Sequence, residues 1–405
     1  MLTKLIIWVI YERKDSGILE KIIVVTHNFP PEAVGGASRI FEMARELQKS
    51  FHVEVICAPP TYPFTKFPFT NKLIQHEIMN KIPVHRIWTY QPKEKSPSFF
   101  SRVSYYIFYP ILVSFYLIKK IKGDTIIIIT NPPPTLLITS LIARIFRKKY
   151  IVDMRDFWID AAISLGFIKN KFFISCLKIF ENYCLKKSSM IITNSMYIQK
   201  ILSQEHVDKK IKYIPFNVNL TQFKKIKCDI ENDLVYIGNI GTAQNLEKVI
   251  QAISLVIKEL PKIRIEIYGG GDKEEVIKKQ IKKLGLDQNI LLHNPVPREE
   301  IPKILSKSKI GIVPLANNEN LAYAIPTKTF EYMACEVPII AYGSSEELKR
   351  IITESNSGIF VEGDVNKLAE NILLLLNDKE LIESYKKNGR EFIMKQNSFK
   401  FLEGQ

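Results

Sequence analysis

Short runs of β-branched residues alternate with amphipathic, charged segments along most of the chain. Strands that alternate with helices in this way form βαβ units and parallel sheets. The pattern predicts an α/β protein with two doubly wound, Rossmann-like domains that face each other across a cleft. The predicted strands lie at residues 22–25, 52–59, 125–129, 150–153, 190–193 and 211–214 in the first half, and at 234–238, 263–269, 290–293, 310–314, 337–343 and 358–362 in the second.

The same pattern gives the expected domain organisation. Residues 1–20 precede the first convincing strand and are interpreted as an N-terminal extension. Residues 21–215 form the first domain, and the polar stretch 216–233 is interpreted as a linker. Residues 234–390 form the second domain. Residues 391–405 are expected to form a C-terminal helix that returns towards the first domain.

Charge is distributed unequally between the two halves. Up to Pro215 the chain has 31 Lys and Arg residues against 16 Asp and Glu, whereas the rest is neutral, with 26 of each kind. The whole formal excess of +15 therefore lies in the first half. Such a surface is expected to face an anionic partner, and the hypotheses are a bilayer, a phosphorylated lipid or nucleic acid. The chain is 46% hydrophobic and 24% charged, which excludes a disordered protein.

An aromatic run at residues 103–118, VSYYIFYPILVSFYLI, stands out in this basic half. It is interrupted by Pro110 and is too short and irregular for a membrane span. Basic residues flank it, which favours docking in the interface plane of a membrane. A helix buried in the first domain fits the same run equally well. The flanking basic residues are Arg102, Lys119, Lys120 and Lys122.

The cysteine pattern bears on compartment and metal content. The five cysteines include no C-x-x-C pair and no Cys/His cluster. This pattern is typical of a reducing compartment and gives no indication of a metal site. A cytoplasmic location is therefore expected, on the inner face of the cell membrane if the basic half docks there.

Two segments carry candidate chemistry. Gly35 and Gly36 lie between the first strand and a helix expected to begin near Ser38, where a glycine turn and free N–H groups suit an anion. A plain tight turn explains two glycines as well. In the segment PTKTFEYMACEVPII, Lys328 and Glu331 lie three residues apart on one helix face, suited to phosphate and ribose. An ordinary surface ion pair has the same spacing.

The motifs together resemble a known family. The segments GGASRIFEMARELQ, ITNS, YIGNIG, IYGGGDKEE and FEYMACEVPII closely resemble family 4 of the retaining glycosyltransferases, which have the two-domain GT-B fold. The combination of RDFW, GNIGTAQNLE and PTKTFEYMA resembles more narrowly the branch that builds O-antigen, capsule and related surface glycans, including aminodeoxysugar transferases.

The resemblance implies a donor site in the second domain. Glu331 matches the second glutamate of the family's E-x7-E motif, which holds the ribose of a nucleotide sugar, while the first glutamate is replaced by Tyr323. Thr327 and Lys328 match positions at the diphosphate. Residues 296–297 match backbone that contacts the base. Further donor positions implied by the family are Gly35, Gly36, Gly238, Asn239, Gly270 and Gly271.

Some catalytic charge must be supplied differently in this chain. The family's arginine in the first loop of the second domain is replaced by Asn239, and its companion lysine by Gln244 or Asn245. Lys328 and Arg155 are the candidates for the missing positive charge. In the motif DMRDFW, Arg155 and Asp156 match a His-Asp pair near the donor phosphate and the acceptor hydroxyl, although an Arg-Asp pair that fixes the loop is the alternative.

The implied function is transfer of a hexosyl or acetamidohexosyl group from a nucleotide sugar, expected to be UDP-linked, with retention of configuration. The expected acceptor is polyprenyl-phosphate-linked or a surface glycan, and no metal cofactor is expected. A nucleotide-sugar epimerase of the same fold is an alternative, because fold does not fix function. A non-catalytic nucleotide-sugar or nucleic-acid binding protein is another, although no nucleic-acid recognition motif is present.

Overall fold

The computed structural model divides the chain into two units, and the boundary falls between Pro215 and Phe216. Unit 1 precedes this boundary, and unit 2 extends from Phe216 to Phe399. The expected N-terminal extension and the end of the expected C-terminal helix lie outside the described residues. The structure describes residues 21–32, 35–62, 64–94, 97–121, 125–130, 132–164 and 168–398.

Unit 1 contains an eight-stranded sheet of order β3-β4-β2-β1-β5-β6-β7-β8. All its strand pairs are parallel except β3 and β4. The isoleucine-rich strands β1 and β5 pair at its centre and are buried, which is typical of strands covered by helices on both faces. The strands are β1 Lys21–Val25, β2 His52–Cys57, β3 Ile74–Met79, β4 Ile82–Ile87, β5 Thr125–Thr130, β6 Tyr150–Asp153, β7 Met190–Thr193 and β8 Ile211–Tyr213.

The hairpin β3–β4 is absent from the sequence-based prediction. Strand β3 has the sequence IQHEIM and is mostly exposed at the edge of the sheet. Strand β4 contains Pro83, His85 and Arg86 among its apolar residues. Neither strand has the continuous β-branched run that marks the others, because β3 is an exposed edge strand and the buried strand β4 carries the polar side chains His85 and Arg86.

Helices flank the sheet of unit 1. Helix α1 begins at Gly35, earlier than the predicted start near Ser38, so both glycines form its first turn and not a preceding loop. Helices α2, α3 and α5 lie side by side. The helices are α1 Gly35–Gln48, α2 Phe99–Lys120, α3 Pro133–Ile145, α4 Trp158–Ser164, α5 Lys171–Lys187 and α6 Met196–Glu205.

Unit 2 contains a six-stranded parallel sheet of order β11-β10-β9-β12-β13-β14. In the order of the strands along the chain this is 3-2-1-4-5-6, the Rossmann arrangement. The strand order reverses between β9 and β12, and ligands bind at the carboxyl ends of strands at such a point. The strands are β9 Asn232–Ile237, β10 Ile265–Tyr268, β11 Ile290–His293, β12 Ser308–Pro314, β13 Ile339–Tyr342 and β14 Gly358–Val361.

Two cores cover the faces of this second sheet. Helices α7, α8 and α12 bury their apolar sides in one core, and α9, α10 and α11 contribute to the other. None of the described helices is long and apolar enough to cross a membrane. The helices are α7 Leu246–Val256, α8 Glu274–Lys283, α9 Ile301–Ser306, α10 Lys328–Ala334, α11 Glu346–Ser355, α12 Val365–Asn377 and α13 Lys379–Ser398.

The ends of unit 2 differ from the expected linker and C-terminal helix. Residues 216–233 belong to unit 2, where Phe216 and Phe223 are buried in the core beside α10. Because polar residues separate Phe216 from Phe223, the sequence pattern did not indicate that both are core residues. Residues 391–398 are the last part of α13, and Gln396 donates a hydrogen bond to the Phe216 carbonyl at 2.7 Å. Residues 399–405 lie outside the described residues.

Candidate functional site

The carboxyl end of β9 in unit 2 is hydrogen-bonded to helix α10. The backbone N–H of Ile237, the last residue of β9, donates to the Tyr332 hydroxyl at 2.9 Å. The next residue, Gly238, has φ 145°, a conformation that favours glycine. The sequence therefore brings the predicted donor residues on β9 and α10 together at the point where the strand order reverses.

The side-chain ammonium of Lys328 lies against the backbone of Gly238. A Cβ atom at Gly238 would lie 2.7 Å from Lys328 Nζ, so glycine leaves the ammonium room to reach the backbone there. The ammonium lies 3.6 Å from the centre of the Tyr236 ring, a cation–π contact. It is buried and has no hydrogen-bond partner among the described residues.

The burial of this ammonium has an electrostatic consequence. Desolvation lowers the pKa of Lys328 to about 7, against the opposing attraction of Glu331. A buried cation of this kind is stabilised by an anion that enters the site. The predicted phosphate position of Lys328 is therefore chemically suitable for a diphosphate.

Glu331 lies one turn further along α10. Its side chain is buried, and its Oε1 atom lies 2.6 Å from Nη2 of Arg298. The Arg298 guanidinium in turn lies over the Phe223 ring, with Cζ 4.9 Å from its centre. Arg298 was missed by the sequence analysis, although it directly follows residues 296–297, which were assigned to the base. The Glu331 carboxylate can still accept hydrogen bonds from a diol if this ion pair is shared or displaced.

The loops after β9 and β10 pack closely on each other. The Ile240 N–H donates to the Gly270 carbonyl at 3.0 Å, and a Cβ atom at Gly271 would collide with the Ile240 backbone. The structure thus assigns Gly271 a packing role between loops. Asn239 Nδ2 donates to Gln244 Oε1 at 3.1 Å. Asn239, Gln244 and Asn245, the positions that the resemblance relates to the family's cations, are all neutral.

Thr327 immediately precedes α10, and its carbonyl accepts a hydrogen bond from the Phe330 N–H at 3.1 Å. The helix begins at Lys328, two residues after Pro326. Tyr323, which stands at the position of the family's first glutamate, is buried. The loop therefore presents its backbone next to Lys328 without a second carboxylate at that position.

A separate cluster lies at the carboxyl edge of the sheet in unit 1. A Cβ atom at Gly36 would lie 2.7 Å from Arg155 Nη1, so the Arg155 guanidinium lies against the first turn of α1. The structure thereby brings Gly36 and Arg155 together, as two predicted site residues. N–H groups of a helix start next to a guanidinium are suited to an anion.

Arg155 is held by a carboxylate that the sequence analysis did not select. Its Nε atom lies 3.5 Å from Asp153 Oδ2, and Arg39 Nη2 lies 3.7 Å from Asp153 Oδ1. Asp153 is fully buried at the end of β6. Asp156, the other predicted residue of this motif, directly follows Arg155; burial raises the pKa of its carboxyl and the Arg155 charge opposes that shift. Asp153 is therefore a further carboxylate that contacts Arg155.

An open cavity of about 750 Å³ lies in unit 2 and contains none of the predicted site residues. Its lining includes polar side chains from the segments that follow β9, β10, β12 and β14, for example Asn245, Lys273, Asn317 and Asp364. Among the described residues, no group of three or more His, Cys, Asp or Glu side chains is arranged to hold a metal ion.

Residues 219–392 match the family described as Glycosyl transferases group 1. The match spans nearly all of unit 2. The match covers the predicted donor residues from Gly238 to Glu331. It confirms the resemblance to glycosyltransferases that the motifs indicate.

Two curated relatives illustrate the range of this glycosyltransferase family. The chain is 26% identical over 185 residues to the poly(glycerol-phosphate) alpha-glucosyltransferase of Bacillus subtilis (strain 168), covering 44% of this chain and 24% of that protein. It is 24% identical over 242 residues to the capsular polysaccharide biosynthesis glycosyltransferase CapM of Staphylococcus aureus, covering 53% and 60% of the two chains. The chain thus spans less than two thirds of the length of these relatives.

The fold agrees with solved glycosyltransferase structures over nearly the whole chain. Anabaena Alr3699/HepE, crystallised in complex with UDP, aligns with a TM-score of 0.68 at 14% identity, covering 94% of this chain and 97% of that one. The α/β prediction with two Rossmann-like domains is confirmed, and the fold is GT-B.

Proposed function

We propose that the protein transfers a sugar from a UDP-linked donor to a surface-glycan acceptor, with retention of configuration. The observation that carries the proposal is the buried, unpartnered ammonium of Lys328 below Gly238, one helical turn from the buried carboxylate of Glu331. A cation and a carboxylate at this spacing suit the diphosphate and the ribose of one nucleotide. The group 1 match and the UDP complex of HepE support this donor.

In this proposal each donor residue has one task. Glu331 accepts hydrogen bonds from the ribose hydroxyls, and such charge-assisted bonds contribute about 1.5 to 3 kcal/mol each. Lys328 neutralises the diphosphate as negative charge develops on the leaving group. Gly238 and the backbone at Thr327 allow the phosphates to approach closely.

The proposed chemistry needs no group beyond the donor and the acceptor. The bond between the anomeric carbon and the diphosphate oxygen breaks, and its electron pair leaves with the nucleoside diphosphate. The acceptor oxygen attacks from the same face, and its proton passes to the departing phosphate. We propose that this proceeds without a metal cofactor, so EDTA is expected to leave turnover unchanged.

Unit 1 supplies a second anion-binding element in this proposal. We propose that Arg155, which lies beside Asp153 and against the start of α1, contributes positive charge that stabilises phosphate during transfer. One relative is named as a poly(glycerol-phosphate) glucosyltransferase and another as a capsular polysaccharide biosynthesis glycosyltransferase. These names support a surface-glycan or polyprenyl-phosphate-linked acceptor. We place the protein on the cytoplasmic face of the cell membrane.

The test incubates the full chain with a panel of UDP-sugars and a polyprenyl-diphosphate sugar acceptor, with products identified by mass spectrometry. Lys328→Met and Glu331→Gln are expected to abolish most UDP binding and turnover. The exposed Lys258→Met and Glu370→Gln are the matched controls and should behave as wild type. Isomerisation of the donor without acceptor would instead identify an epimerase, and unchanged UDP affinity in both site variants would contradict the donor site.

A further inference from the structure

Helices α2, α3 and α5 of unit 1 form one layer, which we call the three-helix face. Helix α3 packs along both neighbours. Ser140 Oγ on α3 lies 2.9 Å from Cys184 Sγ on α5, and Arg144 of α3 lies over the Tyr183 ring of α5, with Cζ 5.3 Å from its centre. The outer surfaces of the helices are therefore contiguous.

Large apolar side chains project from this outer surface. On α2, Phe108 and Phe115 are exposed, and on α3 Ile145 is exposed. On α5, Phe172 is 80% exposed and Phe180 is 58% exposed. Contiguous exposed apolar residues on a soluble domain mark a surface that contacts a partner.

These side chains are not loosely packed core residues. The opposite side of α2 is filled by Tyr105, Tyr109, Val113 and Leu117, each at most 2% exposed. The aromatic run of α2 therefore both completes the core and covers the outside. The buried-helix interpretation left open by the sequence therefore describes one side of α2, and the docking interpretation concerns the other side.

The charge of the face is almost entirely positive. Glu181 is the single acidic residue within the three helices, all of which are described, and burial raises its pKa to about 7. Lys186 and Lys187 form the exposed last turn of α5. Arg144 adds a further cation on α3.

Not every lysine near the aromatic run is available. Lys120 Nζ lies 3.3 Å from Glu54, and Lys178 Nζ lies 2.6 Å from Asp160. Lys122 lies outside the described residues. Lys119 at the end of α2 is exposed, and the basic end of α5, which the sequence analysis did not single out, adds the exposed Lys186 and Lys187.

We propose that the three-helix face docks on an anionic lipid bilayer, with the aromatic side chains of α2 and α5 at the headgroup level and Lys186 and Lys187 on the lipid phosphates. Exposed aromatic rings with flanking cations are suited to the membrane interface. A second copy of this chain fits less well, because two such faces would bring like charges together. The inference deepens the proposed function by placing its acceptor at a membrane surface, and it rests on that proposal.

The test measures co-sedimentation of the full chain with vesicles of phosphatidylcholine alone or with phosphatidylglycerol. Binding should require the anionic lipid and should weaken as salt rises, because exposed charges are screened beyond about 10 Å at 0.1 M salt. Lys186→Gln/Lys187→Gln should weaken binding roughly 10- to 30-fold, from about 1 kcal/mol per basic residue. Phe172→Ser/Phe180→Ser should weaken it on the same vesicles.

Matched controls lie in unit 2. Lys282 and Lys283 form the exposed last turn of α8, and Leu374 on α12 is 51% exposed. Lys282→Gln/Lys283→Gln and Leu374→Ser should leave vesicle binding unchanged. Equal loss in these controls, equal binding to neutral vesicles, or no vesicle binding at all overturns the inference.

UDP affinity, measured by calorimetry on every variant, separates the two proposals. Circular dichroism spectra and thermal melts that match wild type show that the α5 variants are folded, so their loss of vesicle binding then supports the docking face. Retained UDP binding shows in addition that their donor site in unit 2 is intact. Vesicle binding that follows the expected pattern in a protein that binds no UDP would contradict the donor assignment and leave the docking surface standing.

Discussion

Arg298 Nη2 lies 2.6 Å from Glu331 Oε1, so an arginine already engages the carboxylate to which the ribose is assigned. Arg298→Gln should lower the free energy of unfolding, because it leaves a buried carboxylate without its cation. The partial exposure of Arg298 limits the expected loss to about 1 to 2 kcal/mol. Urea unfolding of Arg298→Gln, Glu331→Gln and the double variant measures the coupling between them.

In that cycle the double variant should be more stable than the sum of the single effects predicts, because residues in one ion pair are coupled. The exposed Arg264→Gln is the control for loss of one arginine in unit 2. Strict additivity of the two substitutions would mean that the ion pair makes no net contribution.

Lys328→Met should stabilise the free protein while removing UDP binding. The pKa of Lys328 is about 7, below its unfolded value, so the folded state disfavours the charged form. The unfolded chain therefore binds more protons between pH 7 and about 10.5, and wild-type stability should rise over that range. At pH 7 the variant should exceed wild type by about 1 to 3 kcal/mol, and the difference should shrink towards pH 10.

The same lysine predicts proton uptake when UDP binds. A bound diphosphate favours the charged ammonium and raises its pKa, so affinity should fall as pH rises above 7. Calorimetry in buffers of different ionisation enthalpy measures the uptake. The control variant Lys258→Met should retain this proton uptake. A wild-type protein that takes up no proton on binding UDP would contradict contact between Lys328 and phosphate.

Arg155→Lys should reduce turnover strongly with little loss of stability. Lysine keeps the charge but lacks the planar guanidinium that reaches from Asp153 to the start of α1. A loss of about 10- to 100-fold in kcat is expected for a misplaced charge-stabilising group. Initial rates and thermal melts, with Arg45→Lys as the control in unit 1, check this. Near-normal rates would show that phosphate charge is handled elsewhere.

Glu181→Gln should stabilise the protein in a pH-dependent manner. Burial raises the pKa of Glu181 to about 7, so the folded state binds a proton that the unfolded state releases above about pH 4.5. Wild-type stability should fall as pH rises from 4.5 to 7, and the variant should gain up to about 3 kcal/mol at pH 8. Melting curves at pH 5 and pH 8 test this, and an equal gain at both values would contradict it.

The sequence predicted the parallel sheets because buried strands leave runs such as TIIIIT at β5. It did not predict the hairpin β3–β4, whose exposed edge needs no such run. The pairing of predicted Gly36 with Arg155, and of Gly238 with Lys328, follows from strand ends that meet at one edge. Arg298 and Asp153 were not predicted, because their partners are set by tertiary packing and not by spacing along the chain.

Phe216 stacks on Phe330 with ring centres 5.6 Å apart, and Arg390 donates to the Phe223 carbonyl at 3.3 Å. The first residues of unit 2 therefore pack against the helix that carries Lys328 and Glu331. This fixes where the gene can be cut to exchange modules with a relative. A junction between Pro215 and Phe216 keeps Phe216 and Phe223 together with the helix on which they pack. A junction after residue 233 would replace these two residues by those of the relative, and the packing against Phe330 would be lost.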